Sequence, residues 1–418
     1  MIIGSGYETG WMSEWETRAT VEEALGRVDV ADKGVLVIIP DSTRTSPVSL
    51  FFSLFCELLS DKARKLDYLV ALGTHRLLSE SALNQLVGIS SAERKGKYAG
   101  IGIYNHRWDL ADTFKGIGRI TAEETREITH GLLVEEVLVV INKMIFDYDQ
   151  LIICGPTYPH EVAGFSGGNK YLIPGISGWE MINLSHWLGA LMTNMRINGV
   201  KHTPVRRLID RAVSLIDMPI LCFSQVVRDE GLAGLYVGTP QEAYDAAADL
   251  SAKLHIIYVN KPFKRVLSMI PEMYDDLWTG AKGMYKVEPV VADGGEVIIY
   301  APHINEISFT HGHLIDRIGY HTLDYFLKQK ERFQDIPRLV MAHCTHLKGA
   351  GTFEDGVERP RIRVTLATGI PQDRCERMDL SYIDPRTIDV AEWEGRENQG
   401  ILLAKSAGEI LFRLRSEV

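Results

Sequence analysis

Short apolar runs rich in β-branched residues recur along this chain, and the stretches between them carry apolar residues at helical spacing. Val35–Pro40 (VLVIIP), Tyr68–Leu72 (YLVAL), Leu151–Cys154 (LIIC), Ile220–Phe223 (ILCF) and His255–Val259 (HIIYV) form a first set of predicted strands. Val266–Pro271 (VLSMIP), Val297–Pro302 (VIIYAP) and Leu339–Cys344 (LVMAHC) form a second. This alternation is the pattern of parallel sheets wrapped by helices. One helix start is legible in Thr45-Ser46-Pro47, where a serine cap precedes proline at the first helical position and VSLFFSLFCELLS runs on with an apolar face.

A length of 418 residues is long for a single core. The expected fold class is therefore α/β with two domains, each a largely parallel sheet flanked by helices, and an active site in the cleft between them. NKPFKR, with its proline and clustered charge, sets the boundary near Lys261–Arg265, giving domains 1–264 and 265–418. The net charge of −10, with no long basic stretch to offset it, argues against nucleic acid or an acidic membrane surface as partner. Five scattered cysteines without a CxxC pair read as reduced, buried thiols. The N-terminus lacks the basic and apolar segments of a signal peptide, and no apolar run approaches membrane-spanning length, so a soluble cytoplasmic protein is expected. The sequence does not settle the oligomeric state, and a homo-oligomer stays open.

Three predicted strands run into unusual polar signatures: VLVIIP into Asp41-Ser42-Thr43-Arg44, YLVAL into Gly73-Thr74-His75-Arg76, and LIIC into GPTYPHE with His160. Ligands of open α/β sheets bind beyond the carboxyl ends of strands, so the three loops are expected to share one crevice. Individually each also suits a plain turn, and a histidine at a strand end often satisfies backbone groups. Ser166-Gly167-Gly168-Asn169-Lys170 reads either as an ordinary turn or as a loop whose backbone N–H groups approach a phosphate, with Lys170 as cation or nucleophile. It lacks the spacing of a Walker loop, and no GxGxxG follows the first strand. His186 suits a half-buried helix position or a metal ligand. His311 and His313 (THGH) and His343 and His346 (HCTH) have ligand-like spacing, but no carboxylate or cysteine accompanies them at matching spacing, which argues against a separate zinc site.

Taken together, DSTRTSP, GTHR, PHEVAGFSGGNKYLIPGI and LSHW resemble the nickel-pincer lactate racemase family, whose members racemise or epimerise 2-hydroxy acids. The matches keep order and spacing over the N-terminal two-thirds, and LWTGAK at 277–282 extends them weakly into the second domain. The resemblance implies a cofactor-binding and catalytic N-terminal domain and a C-terminal domain that closes the cleft. It further implies a nickel-pincer nucleotide, a pyridinium mononucleotide clamping nickel through two sulfurs and a ring carbon, attached through Lys170. His186 would be the protein's nickel ligand, and His75 and His160 the paired acid/base residues. Arg44 and Lys282 would bind substrate or cofactor, and Asp41, Thr43, Ser166, Gly167 and Gly168 would surround the cofactor. Cofactor-making enzymes would be transient partners.

The residue chemistry agrees. Nickel(II) accepts sulfur and imidazole nitrogen, a desolvated amine is a nucleophile, and imidazole moves protons near neutral pH. Asn169 stands where the family has a basic residue, and Thr279 where it often has glutamine. The polar segments of residues 300–360 would suit an acid more hydroxylated than lactate, such as a sugar acid. A metal-assisted lyase or dehydratase and a non-catalytic anion-binding homologue are the competing readings.

Overall fold

The apolar runs pair into two main sheets, one in each unit of the chain, in a computed structural model that describes residues 2–229, 231–405 and 407–417. The first unit comprises Met1–Tyr158, Phe165–Ile182 and Lys201–Leu254, and the second Pro159–Gly164, Asn183–Val200 and His255–Val418. The chain thus visits the second unit twice before staying in it, whereas the sequence reading places one boundary near Lys261–Arg265.

In the first unit seven strands run in the order Ile3–Gly6, Gly231–Gly238, Ile220–Arg228, Gln150–Pro156, Gly34–Ile39, Lys65–Val70, Ile103–Asn105. The first two pairings are antiparallel and the rest parallel. From Gly34–Ile39 the chain builds outward to Ile103–Asn105, and Gln150–Pro156 then returns to the opposite side of Gly34–Ile39. Such a reversal opens a crevice beyond the strands' carboxyl ends. The second unit has a five-stranded, fully parallel sheet in the order Ser381–Tyr382, Arg363–Thr368, Val291–Ala301, Phe263–Met269, Ile401–Ala404.

Three local expectations are corrected. Leu339–Cys344 is not a strand but part of the helix Arg338–Lys348, and every residue from Leu339 to Lys348 is buried. A helix without a solvent face shows no 3.6-residue alternation, so its apolar run imitates a buried strand. His255–Val259 yields the strand Ile256–Val259, which pairs with Leu411–Leu414 in the second unit, outside both large sheets. Ser46 does not cap its helix, which spans Val48–Leu59: its hydroxyl donates to Gln225 Oε1 at 2.8 Å on a neighbouring strand. All five cysteines are buried and unpaired. Among the described residues, no helix is long and apolar enough to cross a membrane.

The helix Val48–Leu59 covers the first sheet because Phe51, Phe52, Phe55 and Leu59 fall on its buried face. Phe52 meets Tyr68 with ring centroids 4.8 Å apart, and Phe55 meets Phe223 at 5.0 Å. Phe55→Ala should cost about 3–5 kcal/mol of stability, since a fully buried aromatic is lost and a cavity left. Trp15→Ala, at a residue 76% exposed, should cost under about 0.5 kcal/mol. Urea unfolding of both variants checks the contrast, and equal losses would contradict the packing described.

Candidate active site

In the first unit the strand Gly34–Ile39 leads to Asp41 just beyond its carboxyl end, where the carboxylate is buried. Its Oδ2 lies 2.5 Å from His75 Nδ1, and its Oδ1 accepts from the Thr43 amide at 3.0 Å and the Thr43 hydroxyl at 2.7 Å. Burial alone would raise the Asp41 pKa, but the charge and hydrogen bond of His75, with the bonds from Thr43, outweigh it and hold the carboxyl well below its usual range. An ionised carboxylate only accepts, so His75 Nδ1 carries a proton, and Nε2 is the nitrogen left to exchange one. The His75 loop is fixed from both sides. Trp108 Nε1 donates to the His75 carbonyl at 2.7 Å, and the Gly73 amide donates to Gly175 O at 2.9 Å. That second bond ties GTHR to the end of the glycine loop. Arg44 is half-buried, and its charge and that of Asp41 both act on the Tyr171 hydroxyl, next in sequence to Lys170.

The glycine loop is built differently from a phosphate cradle. Ser166 donates its amide to Tyr158 O at 2.8 Å, while its hydroxyl accepts from the Tyr158 amide at 2.9 Å and bonds Pro156 O at 3.1 Å. The Gly168 amide bonds the Cys222 thiol, and the Lys170 amide points back to Gly167 O at 3.3 Å. The Ser166, Gly168 and Lys170 amides are thus spent inside the protein, as the ordinary-turn reading of this segment expects. The glycines answer to conformation and space. Gly167 and Gly168 have φ of 89° and 57°, and a Cβ would lie 2.4 Å from Thr157 Oγ1 at the first and 2.9 Å from Tyr244 Cβ at the second. Asn169, where a basic residue was expected, is buried and donates to Asp210 Oδ1 at 2.8 Å. Lys170 follows on the turn Gly168–Tyr171 with its side chain only half-buried.

The second unit holds His160, His186 and Lys282. His160 is buried, and its Nδ1 accepts the Val162 amide at 3.1 Å, so the neutral ring carries its proton on Nε2. Glu161 Oε2 lies 3.5 Å from the same Nδ1, and the buried Lys286 ammonium bonds the Pro159 carbonyl. His186 is half-buried on the helix Trp179–Met192, with Nδ1 3.4 Å from Ser185 Oγ. The buried Lys282 ammonium sits 4.5 Å from the Tyr274 ring centre. Thr279, in place of glutamine, spends its hydroxyl on Asp276 at 2.9 Å.

The histidines of the second unit converge. His343 stacks on Trp278 at 4.0 Å and 22°, and His311 meets the same indole at 4.6 Å. Burial, and then the charges of His346, His311, Lys282 and His186, push the His343 pKa well below its usual value. His346 is pushed down to about 4 by burial, with Glu161 opposing. A separate cluster of His321, Glu358 and Asp379 could in principle hold a metal, but its bonds are made internally and Lys348 is 2.5 Å from Asp379 Oδ2.

Sequence reasoning missed Glu161, Lys286 and Arg206. Arg206 is buried and donates to Gly167 O at 3.0 Å and Phe165 O at 2.5 Å, with Tyr244 3.9 Å beneath its guanidinium. Glu161 was visible as the neighbour of His160, whereas a helix arginine gives no sequence signal for the loop it holds.

Comparison with known proteins places this geometry among relatives. The profile of the Lactate racemase N-terminal domain family matches residues 19–198. Lactate racemase of Thermoanaerobacterium thermosaccharolyticum is 22% identical over 305 residues, 71% of this chain and 67% of that protein. Lactate racemase of Lactiplantibacillus plantarum is 23% identical over 317 residues, 69% of this chain and 66% of that protein. The matches thus span about two thirds of the curated relatives. A crystal structure of a Thermotoga maritima protein is similar at 31% identity and a TM-score of 0.89, covering 97% of this chain and 99% of that one. The lactate racemase apoprotein of T. thermosaccharolyticum shares the fold at 18% identity and a TM-score of 0.72, covering 99% and 100%. The family profile spans both histidine loops, the lysine turn and His186, so residues 19–198 belong to the lactate racemase N-terminal domain family, and the fold of the lactate racemase apoprotein continues through the second unit.

Proposed function

We propose that this protein inverts C2 of a 2-hydroxy acid, using a nickel-pincer nucleotide held through Lys170 and His186. The observation that carries the reading is the half-buried His75 held by the buried Asp41 at the reversal of the first sheet, an oriented base beyond the strand ends where such folds bind ligands. The residues fit the cofactor. Lys170 follows a loop buried from Gly164 to Asn169, yet its own side chain remains half-buried and reachable. His186, also half-buried, offers one imidazole nitrogen, a donor nickel accepts. When bound, the group would supply a hydride acceptor and donor for C2.

The chain supplies charge, orientation and proton transfer. Arg44 and Lys282 give a carboxylate local positive charge in a protein of net charge −10. His75 Nε2, with Nδ1 held by Asp41, takes a hydroxyl proton. His160 presents Nε2–H to an oxygen; to give up that proton the ring must first be protonated at Nδ1, where Glu161 Oε2, 3.5 Å away, would replace the Val162 amide as partner. Two histidines are needed because mirror-image substrates present their hydroxyls on different sides.

Protein produced together with the cofactor-making enzymes should carry nickel and added mass on the Lys170 peptide. Lys170→Ala should lose that mass in intact-protein mass spectrometry, and His186→Ala should lose nickel in elemental analysis. Full turnover by nickel-free protein would contradict the proposal.

Asp41→Asn keeps the shape of the side chain but removes the charge that fixes the His75 tautomer. It should lower kcat by roughly 10- to 1000-fold with KM changed less than about threefold, the signature of an interaction made chiefly in the transition state. Steady-state kinetics on both enantiomers checks this, and an unchanged kcat would remove His75 from the proton path.

A further inference from the structure

Tyr171 ends the turn that presents Lys170, and its ring lies on the strand Gln150–Pro156. At Gly155 a Cβ would stand 2.1 Å from the Tyr171 hydroxyl and 2.4 Å from its Cζ, so a side chain there would push the ring away. Gly155 does not have a positive φ, so space rather than backbone conformation calls for the glycine. Strand and turn are thus matched to seat one phenol.

The sheet register locates that seat. Ile153 pairs with Ile38, and two residues further on Gly155 stands beside Pro40, which leads into Asp41 and the DSTR turn. The sheet reverses between these two strands. The phenol oxygen therefore lies on the strand that borders the reversal, beside the turn that carries Arg44.

Tyr171 is half-buried, and among the described residues its hydroxyl has no hydrogen-bond partner; it is not one of the polar atoms both unpaired and sealed from solvent. Asp41, the nearest carboxylate along the chain, is already answered by His75 and Thr43. A guanidinium has no acceptor to offer the phenol. Burial raises the phenol pKa, with the Arg44 charge opposing, and the group stays protonated. Tyr171 is therefore a donor that reaches solvent and waits for an acceptor.

The surroundings select that acceptor. A cationic group would be repelled by Arg44, and an apolar group would leave the donor unpaired. An oxyanion satisfies the phenol and the guanidinium together. In a 2-hydroxy acid the carboxylate is one bond from C2, so a substrate whose hydroxyl faces His75 turns its carboxylate toward the neighbouring DSTR turn. We propose that the Tyr171 hydroxyl, seated on Gly155, binds the substrate by donating to one carboxylate oxygen while Arg44 supplies the opposing charge. The inference rests on the 2-hydroxy acid reading above and adds a recognition residue to it.

The test has a binding arm and a kinetic arm. Tyr171→Phe removes only the oxygen, and Gly155→Ala displaces the ring while leaving the phenol in the chain. Glycolate, the fragment common to all 2-hydroxy acids, is titrated into cofactor-free protein and followed by saturation-transfer NMR. Nicotinamide mononucleotide is titrated in parallel as the probe for a nucleotide phosphate. Both variants should weaken glycolate about 10- to 100-fold, the worth of a hydrogen bond to a charged group, and leave the mononucleotide within about threefold. Circular dichroism reports folding, and Tyr171→Phe carries the arm alone if Gly155→Ala does not fold. In nickel-loaded enzyme Tyr171→Phe should raise KM about 10-fold or more for both enantiomers of an interconverted acid, with kcat changed less than about threefold, as for a contact made equally in ground and transition states. No glycolate binding by the unaltered protein, glycolate binding unchanged in Tyr171→Phe, weakening of the mononucleotide instead, or a fall in kcat at constant KM overturns the carboxylate contact. Glycolate binding that Tyr171→Phe loses, without interconversion of any 2-hydroxy acid by the loaded unaltered enzyme, supports the contact and overturns the racemase reading instead.

Discussion

Asp41 is an ionised carboxylate buried where the first sheet reverses, and a charge so placed must be compensated in full. Its partners supply that compensation. His75 answers one oxygen, and the amide and hydroxyl of Thr43 answer the other. This single requirement orders the DSTR turn, fixes the imidazole tautomer and orients the GTHR loop. The Gly73 bond to Gly175 carries the same order to the lysine turn. The orientation of His75 is thus a consequence of how a buried charge is satisfied.

The lysine turn obeys a second constraint of the same kind. The helix Pro204–Val213 places Arg206 against two loop carbonyls and Asp210, one turn later, against the Asn169 amide. Burial raises the Asp210 pKa, with the Asn169 bond opposing it. Oppositely charged groups on one helix therefore hold the loop by its backbone and by Asn169. With the amides of Ser166, Gly168 and Lys170 and the carbonyls of Phe165 and Gly167 bonded inside the protein, the turn that carries Lys170 is held from several sides. Asn169 is explained in this way: a buried position facing a carboxylate helix residue suits an amide that can donate without bringing a charge of its own.

Much of this was legible in the sequence, for physical reasons that differ by residue. Strands buried on both faces read as apolar runs, so Gly34–Ile39, Gln150–Pro156 and Val291–Ala301 were found. The same criterion misassigned Arg338–Lys348, a helix buried all round. Asp41, Arg44, His75 and His160 stood out as a set of three loops because polar residues at strand ends are costly to bury and contrast with the apolar runs before them. The pairing of Asp41 with His75 did not, since it joins loops 34 residues apart on neighbouring strands. Ser166 and the glycines stayed open between an ordinary turn and a phosphate loop, because small residues serve tight packing as readily as ligand approach. Arg206 and Lys286 act through carbonyl oxygens, and every residue has one of those.

In the proposed reaction His75 and His160 move protons at oxygen while the C2 hydrogen travels as hydride and does not meet water. The direct measurement is racemisation by the nickel-loaded enzyme in D₂O, with C2 of the recovered acid followed by NMR. Inversion with C2 still carrying protium is the predicted result. Deuterium entering C2 at the rate of inversion would contradict the account and make the two histidines carbon-acid bases.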